Sequence, residues 1–301
     1  MTKHLMKTLL LLIGLATSGL AGAALDGGPL KLVAANYPLA YFAERIGGSR
    51  VMVTLPVPEG EDPAFWKPDT KAIAQMQKAE LIALNGADYE KWLVRVTLPK
   101  LKLVDTSAGF KDSFIVIPDA VTHSHGPGGM HAHGGTAFTT WLDFEQAARQ
   151  AEALGLAMMR KRPEFKADFQ DNLAKLTADL RALDTELKQI TRSRGEQPLM
   201  GSHPVYQYLA RRYGLKLQSV HWEPNEMPPA SEWDGLKSTL AGHPAKLMLW
   251  EAPPAPEIEA KLKQEGLASV PFEPCANQSS SGDFLAVMRQ NLTHLKQALA
   301  R

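Results

Sequence analysis

The most regular hydrophobic pattern in the chain lies between Pro163 and Arg192. Apolar residues recur there at steps of three and four positions, a spacing that places them on one side of an α-helix. They are Phe165, Phe169, Leu173, Leu176, Leu180, Leu183, Leu187 and Ile190. The spacing predicts a helix roughly 45 Å long, and Gly195 ends the pattern. Asp184 and Lys188 lie on its charged face, which we expect to be solvated.

Two arrangements could bury this apolar stripe. In one, the helix is a coiled-coil arm in a dimer. In the other, it lies across two lobes and buries its stripe on both. The second arrangement is favoured because the flanking segments are similar in size and pattern. In addition, no run of heptads continues beyond the helix.

Short apolar runs alternate with helical patterns on both sides of the stripe. Before it, strands are predicted at 30–35, 51–56, 81–84, 101–104 and 114–117, with helices at 38–46, 70–79 and 143–160. After it, strands are predicted near 199 and at 215–220, 246–250 and 268–272, with helices at 204–213, 231–240, 256–264 and 283–299. Ser231 is the expected N-cap of its helix. This alternation predicts an α/β fold of two lobes, each a mostly parallel sheet flanked by helices, joined by one long rigid helix.

The first 23 residues have the pattern of a signal peptide. Lys3 and Lys7 precede an apolar run, and Ala21-Gly22-Ala23 forms an A-x-A cleavage site. We expect cleavage near Ala23/Ala24, no lipid anchor at that point, and a location in a bacterial periplasm. The expected divisions are a signal peptide at 1–23, an N-terminal lobe at 24–162, a connecting helix at 163–192 and a C-terminal lobe at 193–301.

Charge and cysteine content narrow the choice of function. The chain has 33 basic and 32 acidic side chains, so its net charge gives no reason to expect a nucleic-acid partner. Cys275 is the single cysteine, which rules out a disulfide within the chain. The fold therefore depends on packing alone.

A segment rich in histidine and glycine occupies residues 122–135. It contains two His-x-His pairs, His123 with His125 and His131 with His133. The segment offers almost nothing apolar to bury, so we expect an exposed, mobile loop. Imidazole is a common ligand of zinc, copper and nickel, and such pairs can bind these metals without a preformed pocket. The alternative is a merely polar linker.

One histidine and two glutamates are further candidate site residues. His203 stands at the start of a predicted helix, and Glu251 and Glu273 follow predicted strands. The carboxyl ends of parallel strands are where open α/β sheets bind ligands. A structural histidine and helix-capping carboxylates are the alternatives. No nucleophile or acid–base constellation is evident, so we expect no enzyme.

Several segments resemble one known family, the zinc and manganese receptors of bacterial ABC importers. They are Val33-Ala34-Ala35-Asn36-Tyr37-Pro38-Leu39, Asp62-Pro63-Ala64-Phe65-Trp66-Lys67-Pro68, Ala79-Glu80-Leu81-Ile82 with Asn85-Gly86, Trp141-Leu142-Asp143, and Ser202-His203 with Tyr206 and Tyr213-Gly214-Leu215. A His-rich loop at this location is typical of the zinc branch. The resemblance covers nearly the whole mature chain and implies a periplasmic receptor with two lobes.

The resemblance also implies a metal site of three histidines and one carboxylate. Those positions fall on Ala64, Thr139, His203 and Glu273, so two of the usual histidines are replaced. Either loop histidines complete a site with His203 and Glu273, or the cleft no longer binds metal. Zinc has ligand chemistry that suits such a site, while Mn²⁺, Cu²⁺ and Ni²⁺ stay open.

The resulting hypothesis is a monomeric receptor that captures a divalent metal ion, zinc being favoured, and passes it to an ABC permease in the inner membrane. One alternative is a periplasmic metal chaperone or buffer that binds metal mainly through its His-rich loop. Another is a family member whose cleft no longer binds metal.

Overall fold

The computed structural model describes residues 28–117, 122–124, 130–132, 135–192 and 197–300. The expected signal peptide lies outside these residues, as do His125 and His133. The strands are β1 (Leu30–Ala34), β2 (Val51–Thr54), β3 (Leu81–Leu84), β4 (Leu103–Asp105), β5 (Val116–Ile117), β6 (Thr122–Ser124), β7 (Met130–Ala132), β8 (Gly135–Thr136), β9 (Leu199–Gly201), β10 (Leu217–Ser219), β11 (Leu247–Trp250) and β12 (Ala268–Pro271). The helices are α1 (Tyr37–Gly47), α2 (Thr70–Lys78), α3 (Phe144–Lys161), α4 (Lys166–Arg192), α5 (Gln207–Tyr213), α6 (Ala230–Gly242), α7 (Pro256–Gln264) and α8 (Phe284–Leu299).

Two four-stranded parallel sheets form the framework of the molecule. Their strand orders are β2–β1–β3–β4 and β10–β9–β11–β12, so the two lobes share one topology. In the first sheet Val33 lies opposite Thr54 on one side and Ile82 on the other. Every residue of β3 is buried, as expected of a central parallel strand covered on both faces. The α/β prediction is therefore confirmed.

Helix α4 joins the two sheets and packs against both lobes. It contacts α1 and α3 on one side of the molecule and α5 and α8 on the other. The stripe residues Phe169, Leu176, Leu180, Leu183, Leu187 and Ile190 are buried. One continuous hydrophobic cluster includes Leu32 of the first sheet, Leu180 of α4 and Leu249 of the second sheet. The stripe is thus buried within the chain, as the arrangement across two lobes requires.

The charged face of α4 differs from the prediction at one residue. Asp184 is 5% exposed, so the expectation of a solvated side chain there is wrong. Its carboxylate accepts hydrogen bonds from Arg212 Nε at 2.8 Å and Arg212 Nη2 at 3.0 Å, and from Lys188 Nζ at 2.6 Å. Helix α5 brings Arg212 over this face, and a periodicity within α4 cannot reveal that contact.

Helix boundaries agree with the sequence where a side chain caps the first turn. Asn36, Asp69, Asp143 and Asp283 accept backbone hydrogen bonds at the starts of α1, α2, α3 and α8. Ser231 does not cap its helix, because α6 begins one residue earlier at Ala230, after Pro229. That prediction is wrong; the N-cap is Pro229, which provides no capping side chain.

The His-rich segment is more regular than expected. Strands β6 and β7 pair in antiparallel fashion, with His123 opposite His131 in the backbone register. This pairing involves only two triplets of residues, and the exposed, mobile loop expected at 122–135 stays a prediction. Among the described residues, no helix is long and apolar enough to cross a membrane.

Candidate metal centre at the cleft

Ionisable side chains gather at the carboxyl ends of the strands in the second sheet. His203 follows β9, His221 and Glu223 follow β10, Glu251 follows β11, and Glu273 follows β12. Because the strands are parallel, these ends share one edge of the sheet. That edge is the usual ligand-binding edge of an open α/β sheet.

The backbone after β9 fixes the position of His203. The Ser202 N–H donates to the Leu249 carbonyl at 2.8 Å, and the Trp222 N–H donates to the Ser202 carbonyl at 2.7 Å. These bonds extend the pairing of β9 to the neighbouring segments on both sides. Ser202 and His203 are consequently buried, although they lie beyond the end of the strand.

His203 lies among carboxylates and a second imidazole. Its Nδ1 is 3.7 Å from Glu223 Oε1 and 4.0 Å from Glu251 Oε1. Its ring meets that of His221 edge-on, with centroids 5.6 Å apart. Adjacent ligands on one tetrahedral zinc would be about 3.3 Å apart, given the usual bond lengths. The two carboxylates are therefore slightly too far from Nδ1 for ligands sharing one ion.

The electrostatics of this edge favour a cation. The pKa of Glu251 is raised to about 8, first by burial and then by the negative charges of Asp62 and Glu223. Burial likewise raises the pKa of Tyr206, with contributions from Glu251 and Glu273. Asp62 belongs to the first lobe, so acidic groups from both lobes act on Glu251. A cation entering the cleft would offset this mutual repulsion.

Glu273 is held by a separate set of contacts. Its Oε2 accepts a hydrogen bond from Ser279 Oγ at 3.1 Å. Its backbone N–H and carbonyl both bond to the Asn291 side chain, at 3.0 and 2.7 Å. Burial raises the pKa of the Glu273 carboxyl, and the Ser279 hydrogen bond partly counteracts that rise. The carboxylate is thus positioned by its own loop and by α8.

The two replaced histidine positions provide no imidazole. Ala64 is 1% exposed, and its N–H donates to Asp62 Oδ1 at 2.9 Å. The Thr139 hydroxyl donates to the Val205 carbonyl of the other lobe. Thr139 therefore makes a contact between lobes where the resemblance implies a metal ligand.

The facing edge of the first sheet is mainly neutral. Asn85 follows β3, and its Oδ1 accepts hydrogen bonds from Gln150 at 3.1 Å, Thr140 at 3.3 Å and Asn36 at 3.4 Å. All four side chains are buried. These amides and hydroxyls satisfy one another, so this network contributes no charge to a metal site.

The loop histidines are only partly described. His123 and His131 lie opposite each other in the β6–β7 pair, whereas His125 and His133 lie outside the described residues. No group of three or more His, Cys, Asp and Glu side chains is placed to hold a metal ion in the part of the chain that the structure describes. A site shared by the loop and the cleft stays a prediction.

Glu223 and His221 were not singled out as site residues from the sequence. Their position in the chain is a usable signal, because both residues follow a strand of the second sheet at its carboxyl end. The sequence placed the end of this strand at Val220, where no ligand-like motif marks the next residues. Only the sheet order shows that this end adjoins His203.

A family comparison agrees with this architecture. Residues 32–298 match the family described as zinc-uptake complex component A, periplasmic (ZnuA). This chain belongs to the ZnuA family. The family comprises solute-binding transport proteins rather than enzymes.

Individual relatives have low sequence identity to this chain, but their alignments cover most of it. The zinc-binding lipoprotein AdcA of Streptococcus pneumoniae is 24% identical over 283 residues, covering 90% of this chain and 56% of AdcA. The chain therefore spans about half the length of that relative. The high-affinity zinc uptake system protein ZnuA of Bacillus subtilis is 24% identical over 291 residues, covering 91% of this chain and 88% of the relative. A crystal structure of the Zn(II)-bound ZnuA-like domain of pneumococcal AdcA superposes with a TM-score of 0.77, at 21% identity, covering 91% of this chain and 100% of that one.

Proposed function

We propose that this chain is a periplasmic receptor that captures a divalent metal ion, with zinc favoured, and delivers it to an ABC permease. The observation that carries the proposal is the family match over residues 32–298. The zinc-binding relatives give the choice of ion. The edge formed by His203, Glu251 and Glu273 supplies imidazole and carboxylate, which zinc accepts as ligands.

The replaced histidines determine how such a site must be completed. With Ala64 and Thr139 at two family positions, His203 and Glu273 offer two side-chain ligands. Two ligands leave zinc mostly hydrated and weakly held, because structural and transport sites use three or four. Further candidates are the side chains beside His203, which are His221, Glu223 and Glu251. The loop histidines His123, His125, His131 and His133 are also candidates, and we expect a strong site to recruit them.

A metal chaperone or buffer is the second candidate function. The hydrogen bond from Thr139 to the Val205 carbonyl favours this function. At that position the side chain joins the two lobes instead of offering a metal ligand. In that case metal would bind mainly to residues 122–135. Genes for a permease and an ATPase beside this one would favour import, and their absence would favour the chaperone.

Calorimetric titration with zinc tests the proposal. The parent is compared with a variant in which the four loop histidines become glutamine and with His203→Ala. His243→Gln is the control, because His243 bonds to the Leu199 carbonyl at the amino end of β9, opposite the edge that carries His203. We expect the loop variant to lose most zinc binding and His203→Ala to weaken binding by a further step. Parent affinity should also fall as the pH drops through about 6.5, because protonated imidazole cannot bind metal.

Each outcome separates the alternatives. If the loop variant binds one zinc as tightly as the parent, the loop is an accessory and the cleft holds the ion. If His203→Ala has no effect while the loop variant loses zinc binding, the chaperone hypothesis is supported. A parent that binds no divalent ion would overturn both.

Mass spectrometry of the exported protein should give an N-terminus at Ala24, within a residue or two.

A further inference from the structure

The β12–α8 loop (residues 272–283) of the second lobe reaches across the cleft to the first lobe. The Pro274 carbonyl accepts a hydrogen bond from Trp141 Nε1 at 2.8 Å, and the Ala276 carbonyl accepts one from the Tyr37 N–H at 2.9 Å. Both donors belong to the first lobe. The loop also carries Glu273, the carboxylate at the family's metal position. Its path is therefore fixed by the lobe that it faces.

Asn277 extends this crossing to the β2–α2 loop (residues 55–69). Its Nδ2 donates to the Pro58 carbonyl at 2.7 Å and to the Glu61 carbonyl at 2.8 Å. Its Oδ1 accepts the Gln278 N–H at 2.7 Å. Both amide hydrogens thus bind the opposite lobe, while the oxygen stabilises its own loop.

The β2–α2 loop carries the first-lobe groups of the cleft. The Asp62 carbonyl accepts the Phe65 N–H at 3.1 Å and the Trp66 N–H at 3.0 Å, which forms a tight turn around Ala64. Asp62 is also the first-lobe charge that raises the pKa of Glu251. Asn277 accordingly ties this turn to the loop that carries Glu273, without any metal in the contact.

We propose that Asn277 is a latch that joins the β2–α2 and β12–α8 loops and limits how fast metal enters and leaves the cleft. This inference rests on the proposed function, because it concerns regulation of that site. The latch is small enough to open, since two hydrogen bonds hold it and water can replace both. Opening it would release residues 58–61 of the β2–α2 loop, which lead into the Asp62 turn, while the Trp141 and Tyr37 bonds still hold the β12–α8 loop.

Asn277→Asp tests the latch with little change in shape. The aspartate keeps an oxygen for the Gln278 N–H but loses both donors and turns a negative charge toward two carbonyls. Gln278→Glu is the matched control, because it makes the same amide-to-carboxylate change on an exposed side chain of the same loop. Asn277→Ala removes the donors without adding charge.

Two measurements follow on the full chain. In the metal-free protein, deuterium exchange of the amides in 59–66 should be about tenfold faster for Asn277→Asp and Asn277→Ala, and unchanged for Gln278→Glu. Zinc release to a chelator, followed by stopped flow, should accelerate by a similar factor in the same two variants. Unchanged exchange would overturn the latch, and faster exchange with unchanged zinc release would overturn its role in gating. A parent that binds no zinc would overturn the proposed function, while the exchange comparison would still decide whether Asn277 joins the loops.

Discussion

The hydroxyl of Thr139 donates a hydrogen bond to the backbone carbonyl of Val205, two residues after His203. Thr139 belongs to the first lobe and Val205 to the second. The family resemblance implies histidine at position 139, where it would bind metal. In this chain a hydrogen bond from the same position joins the two lobes directly. The protein itself therefore supplies part of the attraction between lobes that a bound ion would provide.

Replacing Thr139 with valine should destabilise the protein by about 1–2 kcal/mol. The substitution nearly preserves volume but removes the hydroxyl donor from a buried position, and an unmade buried hydrogen bond costs about that much. Denaturant unfolding measures the change. Thr185→Val is the control, because the Thr185 hydroxyl bonds only within α4, to the Arg181 carbonyl, on an exposed surface. Equal effects of the two substitutions would argue against a contribution from the contact between lobes.

Asp184 of α4 should be a larger contributor to stability. Its buried carboxylate binds Arg212 of α5 through both oxygens and also accepts the Tyr213 hydroxyl at 3.1 Å. Asp184→Asn leaves Arg212 with Asp143 Oδ1, 3.5 Å from its Nε, as the remaining carboxylate, so we expect a loss of about 2–4 kcal/mol, somewhat below the cost of a fully unpaired buried charge. Asp171→Asn, on the exposed face of the same helix, should be nearly neutral. Thermal unfolding of the two variants compares them, and a loss below about 0.5 kcal/mol for Asp184→Asn would contradict the prediction.

The long helix and the two sheets could be predicted because their signals are local. The stripe from Phe165 to Ile190 repeats at helical spacing, and Asn36, Asp69 and Asp143 mark helix starts through their own side chains. Such patterns depend only on neighbours in the chain, so the sequence contains all that is needed to recognise them.

The candidate site could be predicted only in part because its contacts are long-range. The position of Glu273 after a strand and the family resemblance at His203 predict these two residues, but the nearness of Glu223 to His203 depends on β10 lying beside β9. The burial of Asp184 likewise depends on Arg212, 28 residues away in the sequence. Periodicity reports which face of an element is apolar, and it carries no information about which element covers the other face.

Metal should change the overall shape of the molecule very little. Helix α4 packs its stripe against both lobes, and rotating one lobe would expose part of a close-packed core. We expect X-ray scattering curves of the metal-free and zinc-loaded protein to superimpose, with changes confined to the His-rich loop and the cleft. Removing the zinc with a chelator should reverse any small difference between the two curves. A marked compaction on adding zinc would show that the lobes rotate about α4.

Glu90 is a carboxyl group with a structural role and a displaced pKa. Its Oε1 accepts the Asn85 N–H at 2.6 Å and its Oε2 accepts the Gly86 N–H at 3.2 Å, fixing the turn after β3. Glu90 is 8% exposed. Burial raises its pKa to about 8, although the backbone hydrogen bonds oppose that rise. Glu90 lies in the first lobe and is not a candidate metal ligand. Its titration can therefore be followed through the stability of the protein instead of metal binding.

Stability should therefore fall as the pH rises between about 4.5 and 8. In that window the folded protein keeps a proton on Glu90 while the unfolded chain, with an ordinary pKa of 4.5, has released it. The free energy of unfolding then decreases with pH, by on the order of a few kcal/mol over the window, and the Glu90 contribution becomes constant above about pH 8. Glu90→Gln cannot titrate, so its unfolding free energy should depend less steeply on pH, even if its stability at pH 5 is lower than that of the parent. The exposed Glu59→Gln variant is the control and should keep the parent's slope. Denaturant unfolding at pH 5, 6, 7 and 8 measures these slopes, and identical slopes for the parent and Glu90→Gln would show that Glu90 is already ionised across this range.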